Sequence, residues 1–144
     1  MRLTASVSLP RQPSSGAHAR HILETLLGLT ATSLDDRGHL ALLLTEAVAN
    51  GAQHADSGSP VDLAITIEDD ECLIEVGNRG EAPGPAALAT GQPAPLTTAG
   101  GRGLPLIAAL SDTAAFVPTL PGRVLLRMSK RVVGCASFGP PRGG

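Results

Sequence analysis

Along the first nine residues apolar and small polar side chains alternate, with Leu3, Ala5, Val7 and Leu9 set against Thr4, Ser6 and Ser8 and Pro10 closing the run. A period of two marks a strand with one buried face, and a closing proline, which has no N–H to give to a ladder, predicts an edge strand. The period then changes to that of a helix. Ile22, Leu23, Leu26 and Leu27 predict a helix capped by Ser14 or Ser15 and stopped at Gly28. A second helix is predicted from Asp35 or Asp36, whose side chains can cap it, to residues 54–56, ahead of Ser57-Gly58-Ser59-Pro60. Alternation returns with Val61, Leu63, Ile65 and Ile67, and Asp69-Asp70 turns the chain into Cys72-Leu-Ile-Glu-Val76. This is the pattern of a β-hairpin with one apolar face.

From Arg79 to Gly101 no period persists, and Pro83, Pro85, Pro93 and Pro95 stand among several glycines. So long a segment inside a compact domain is a lid, a binding loop or disorder. Beyond it Gly100-Gly-Arg-Gly-Leu-Pro-Leu-Ile107 leads into a third helix reaching about Leu110. Residues 112–117 and 122–128 predict two further strands, the second with Val124, Leu126 and Met128 on one face. Residues 131–144 are expected to form a flexible C-terminal tail, leaving 1–130 as one domain.

Composition narrows the function classes. A chain of 144 residues with 42% hydrophobic and 17% charged content suits one domain with its own core. With two Phe and no Trp or Tyr, that core is aliphatic and the chain lacks stacking platforms for single-stranded nucleic acid. A formal net charge of −2 leaves no basic footprint either, so no nucleic-acid partner is expected. Cys72 and Cys135 lie far apart without Cys-x-x-Cys or His spacing, which signals neither zinc nor redox chemistry. His18 and His21, three residues apart without a third ligand, are expected to be solvated. No apolar run approaches the roughly 18 residues that span a bilayer, and a cytoplasmic protein without membrane contact is expected.

The chemistry concentrates on the second helix, in Thr45-Glu-Ala-Val-Ala-Asn-Gly-Ala-Gln-His54. Each four-residue step rotates by only about 40°, so Glu46, Asn50 and His54 fan over roughly 80° of one face. Leu40, Leu44, Ala47, Val48, Gly51 and Ala55 gather on another, which places Asn50 off the core face. A solvated surface would explain this polar face; a site needs further residues elsewhere in the chain. The glycines before the third helix supply some. Backbone amides and the dipole of a first helical turn favour an anion, which makes Gly101, Gly103 and Leu104 a candidate phosphate cradle as well as a plain flexible turn. No Gly-Lys-Ser/Thr follows, so this is not a Walker motif.

Taken in order, Glu46-x-x-x-Asn50 on a helix, Gly77-Asn-Arg-Gly80 at a strand end and the glycines leading into a helix after a long loop resemble the histidine-kinase-like ATPase (GHKL) superfamily. Within it the chain resembles the small bacterial anti-sigma factor serine kinases and their ATP-binding relatives, over residues 3 to 128. The resemblance implies an α/β (α+β) two-layer sandwich of the Bergerat type, a mixed, mostly antiparallel sheet with helices on one face. It also implies ATP and Mg²⁺ as cofactors. Asn50 would hold Mg²⁺ through its amide oxygen, Glu46 would be the base or water-positioning carboxylate, and His54 would support helix and lid. Gly101 to Leu104 would be the glycine box, with Arg102 as a nearby positive charge, and Asn78 and Gly80 would lie at the adenine.

Asn78 stands where such domains usually carry an aspartate, and losing that charge would weaken adenine binding by about 1–2 kcal/mol, roughly three- to thirty-fold. Arg123 matches the place of a threonine that relatives carry near the base. The function so implied is an ATP-binding anti-sigma regulator that sequesters a sigma factor and phosphorylates a serine on an anti-sigma antagonist, as a homodimer. The alternative is a non-catalytic partner-binding module with a degenerate nucleotide site.

Overall fold

The alternating segments pair into one sheet that carries the helices on its apolar side. The computed structural model describes residues 1–81 and 103–132, with strands β1 (Arg2–Leu9), β2 (Val61–Glu68), β3 (Glu71–Arg79), β4 (Thr113–Phe116) and β5 (Arg123–Arg131). Helices α1 (Ser15–Leu27) and α2 (Leu34–His54) lie between β1 and β2, and α3 (Gly103–Leu110) precedes β4. The strand order is β1-β2-β3-β5-β4, with all four pairings antiparallel and β1 on the edge, where Pro10 predicts it.

Register shows why the pattern folds this way. Ala5, Ile65, Ile74, Met128 and Ala114 stand in one cross-strand row, and Val7, Leu63, Val76, Leu126 and Phe116 in the next. Both rows face the helices. Ser8, Asp62, Gly77 and Leu125 form a row on the opposite, outer face. From above, α1 contributes Ala19, Leu23 and Leu27 and α2 contributes Leu40, Leu43, Leu44, Ala47 and Val48 to a single aliphatic core that also takes Ile107 of α3. Each such Leu or Ile side chain contributes about 1.5–3 kcal/mol on burial.

The element ends differ from expectation for local reasons. Helix α2 is capped by Ser33, whose Oγ accepts from the Asp36 N–H at 3.2 Å. Asp35 and Asp36 therefore lie in the first turn, where carboxylates oppose the helix dipole rather than cap. Ser14 occupies the N-cap of α1 without capping it; its Oγ accepts from Gln12 Nε2 at 2.9 Å, while the Ser15 hydroxyl donates to the Pro10 carbonyl. In the β2–β3 turn Asp69 takes φ +53°, a left-handed conformation that Asp tolerates. Arg131 belongs to β5 and Val132 is buried, its N–H donating to the Asp70 carbonyl at 2.8 Å, so ordered structure passes the boundary expected at 130. Residues 133–144 of the tail expected over 131–144, and residues 82–101 of the loop expected from Arg79 to Gly101, lie outside the described residues.

Candidate functional site

The C-terminal half of α2 lies against the ends of β2 and β3, and one glycine sets how closely. A Cβ on Gly51 would stand 3.1 Å from Val76 Cγ1, 3.3 Å from Val61 Cγ1 and 3.7 Å from Asn78 Oδ1. Bare backbone at this position brings Gly51 of α2 next to Asn78 of β3. A second glycine locks the junction. Gly80 has φ +153°, and a Cβ there would stand 2.6 Å from the His54 carbonyl oxygen and 3.2 Å from Asn78 Nδ2. Around it the Arg79 carbonyl accepts from the Asp56 N–H at 2.7 Å, and the Gly80 N–H donates to the Gly122 carbonyl at 3.0 Å.

Asn50 is only 7% exposed, and its Nδ2 has no hydrogen-bond partner among the described residues. This corrects the expectation that it stands off the core face. Seven residues at about 100° each return a helix to within roughly 20° of its starting direction, so Asn50 lies almost below Leu43. Leu43 is 1% exposed, and the seven-residue spacing from it is the sequence signal for a buried Asn50. Glu46, one turn earlier, is half-buried and makes no ion pair or hydrogen bond among the described residues. The His54 side chain is exposed, and its backbone carbonyl is the group that meets Gly80.

Asn78 is 4% exposed and donates from Nδ2 to the Arg79 carbonyl at 3.0 Å. With the donor end engaged, the hydrogen-bond network assigns the acceptor Oδ1 to the side of Gly51. The strand register also moves one expected residue. Val124, not Arg123, opposes Asn78 and shares its face; Arg123 opposes Arg79 on the outer face, since successive strand residues point to opposite sides. Gly103 begins α3 and Leu104 is buried in the core cluster, while Gly101 and Arg102 lie outside the described residues. Helix α3 packs against α2, so the N-terminal turn of one helix is carried by the helix that bears Glu46 and Asn50.

Residues 9–130 match the histidine kinase-like ATPase domain. The chain belongs to that family. Helix α2 against the ends of β2 and β3, with α3 packed on α2, thus belongs to a histidine kinase-like ATPase fold, as the order of motifs implied. The crystal structure of the RsbU and RsbW domains of Rv1364c from Mycobacterium tuberculosis superposes with a TM-score of 0.65 at 16% identity, over 90% of this chain and 32% of that one. The chain thus spans about a third of that longer protein and shares its fold there. No curated protein sequence matches. Among the described residues no helix is long and apolar enough to cross a membrane.

Proposed function

We propose that this histidine kinase-like ATPase domain binds ATP with Mg²⁺ between α2, α3 and the end of β3, and works as an anti-sigma regulator. The observation that carries the reading is the Asn50 amide, 7% exposed with an Nδ2 that has no partner among the described residues, on the helix whose Gly51 meets Asn78. An unpaired buried N–H donor costs about 1–3 kcal/mol, which a protein keeps where an acceptor on a ligand, such as a phosphate oxygen, completes it and leaves the amide oxygen for a cation. The residues fit the nucleotide. A single amide oxygen suits a cation that keeps several waters and takes further oxygens from phosphates, and among the described residues no cluster of three carboxylates, imidazoles or thiols offers a site of another kind.

In this reading Asn50 orients the cation through its amide oxygen and Asn78 accepts from the adenine amino group through Oδ1. Gly80 leaves backbone room at the base, and His54 supports the helix end. Gly103 and Leu104 at the α3 N-terminus offer amides to phosphate oxygens, and Gly101 and Arg102, which precede them in the sequence, would add an amide and a guanidinium. Bound ATP supplies the γ-phosphoryl group. Glu46, half-buried and unpaired among the described residues, accepts the proton of an attacking hydroxyl or positions it. The acceptor is a serine on an anti-sigma antagonist, and the unmodified partner is a sigma factor held by a cytoplasmic homodimer without nucleic acid; likeness to a fold that includes an RsbW domain supports this choice.

Glu46→Gln separates catalysis from a purely holding module. It is expected to keep ATP affinity within about three-fold while phosphoryl transfer falls by about 10²–10⁴. Turnover unchanged by Glu46→Gln would remove the catalytic role, and ATP binding without turnover in the native chain would favour a non-catalytic partner-binding module.

A further inference from the structure

Arg123 leaves the base pocket for the outer face of the sheet, and there it does not stand alone. Register places Arg79 directly opposite it. Two like charges paired across antiparallel strands repel, and the surroundings offset only one of them. Arg123 Nη2 lies 3.6 Å from Asp62 Oδ2, whereas the Arg79 guanidinium has neither ion pair nor hydrogen bond among the described residues. Both arginines line a pocket of about 360 Å³ closed by Gly58, Ser59 and Pro60. Ser59 is 8% exposed, and among the described residues its hydroxyl has no partner. Two arginines and a serine with an unused hydroxyl line one space.

At Asp62 and Arg123 this pocket joins a trough of about 560 Å³ along the outer face, floored by Ala64, Gly77 and Leu125. Gly77 has no internal reason to be glycine. It pairs in unbroken register with Asp62 and Leu125, so there is no bulge, and a Cβ would meet only ordinary contacts, the nearest 3.5 Å from the Val124 carbonyl oxygen. Glycine inside a strand weakens it, and apart from bends and bulges it marks a place where a ligand or another backbone comes close.

We propose that the outer face of the sheet holds a small molecule with one oxyanion group, phosphate or carboxylate, on a flat apolar body. The oxyanion sits between the Arg79 and Arg123 guanidiniums with Ser59 Oγ donating to it, since paired planar forks suit such groups. The body lies across Gly77 toward Leu125, with Asp62 paired to Arg123 at the margin. Asn78 and Val124 face the helices, so this site lies on the opposite side of the sheet from the proposed nucleotide site and stands or falls independently of it.

The test titrates inorganic phosphate, phenyl phosphate and benzoate into the ¹⁵N-labelled chain and follows backbone amide shifts. Saturating shifts at Gly77, Arg79 and Arg123 are expected, with phenyl phosphate or benzoate at least about ten-fold tighter than phosphate; which of the two binds better identifies the oxyanion. Arg79→Gln, which removes a group without a partner among the described residues, should weaken every binding probe by about ten-fold or more. Gly77→Val should block the aromatic probes and spare inorganic phosphate. ATP affinity should change in neither variant. Shifts that do not saturate, that centre on α2 and Gly103, or that survive Arg79→Gln would overturn the proposal.

Discussion

Gly80→Ala tests whether the α2–β3 junction builds the site. The new methyl would stand 2.6 Å from the His54 carbonyl oxygen, at a backbone φ of +153° that side chains rarely adopt. Backbone strain of this kind costs about 1–3 kcal/mol, and overpacking adds a similar amount. Neither neighbour yields cheaply. The His54 oxygen is backbone at the last residue of a helix whose next N–H, that of Ala55, donates to the Gly51 carbonyl at 2.9 Å, and Asn78 Nδ2 is held by the Arg79 carbonyl at 3.0 Å. Relief must therefore come from lifting the end of α2 off β3, which separates Asn50 and Gly51 from Asn78. Denaturant unfolding should show a loss of about 2–5 kcal/mol, and nucleotide titration of the folded fraction should show ATP affinity reduced about ten-fold or more. Gly58→Ala is the control: its φ is also positive, at +79°, but nothing lies within 4 Å of its Cβ. It should cost about 1–2 kcal/mol and leave ATP binding alone. Equal costs for the two variants, or unchanged ATP affinity in Gly80→Ala, would refute the junction argument.

Asn78→Asp should tighten ATP about three- to thirty-fold by restoring a charged acceptor. It should also cost about 1 kcal/mol of stability, because the Nδ2 bond to the Arg79 carbonyl is lost and that carbonyl then faces a carboxylate; calorimetry and urea unfolding read the two effects separately. Ser33→Ala should destabilise by about 1 kcal/mol through loss of the α2 cap, whereas Asp35→Ala should cost a few tenths, and the reverse order in thermal unfolding would mean the cap is assigned to the wrong residue.

Strand positions were legible because period-two alternation is strict in β1 and, apart from Ala64, Leu73 and Asn78, holds through β2 and β3, and register follows once one face must be buried. Motif order carried the family. Four features were not legible, each for a geometric reason. The burial of Asn50 follows from the seven-residue step that stacks it on Leu43, and the four-residue step to Glu46 and His54 does not carry it. Arg123 was aligned by its neighbour Gly122, but side-chain facing depends on the pairing of β3 with β5, and a one-residue shift reverses it. Ser33 lost to the two aspartates because both are good caps by residue type, and only the actual start of α2 distinguishes a cap from a first turn. The close approaches at Gly51 and Gly80 join α2 to strands far from it in sequence, and no local pattern encodes such a contact.

Calorimetric titration with ATP, with and without Mg²⁺, on the native chain and on Asn50→Ala tests the central claim most directly. Removing an amide with an unpartnered Nδ2 should leave stability within about 1 kcal/mol, so the variant remains folded for the comparison. The expected result is micromolar, Mg²⁺-dependent binding by the native chain and loss of the Mg²⁺ dependence in Asn50→Ala. Absence of ATP binding by the native chain, or the same Mg²⁺-dependent affinity in the variant, would contradict it.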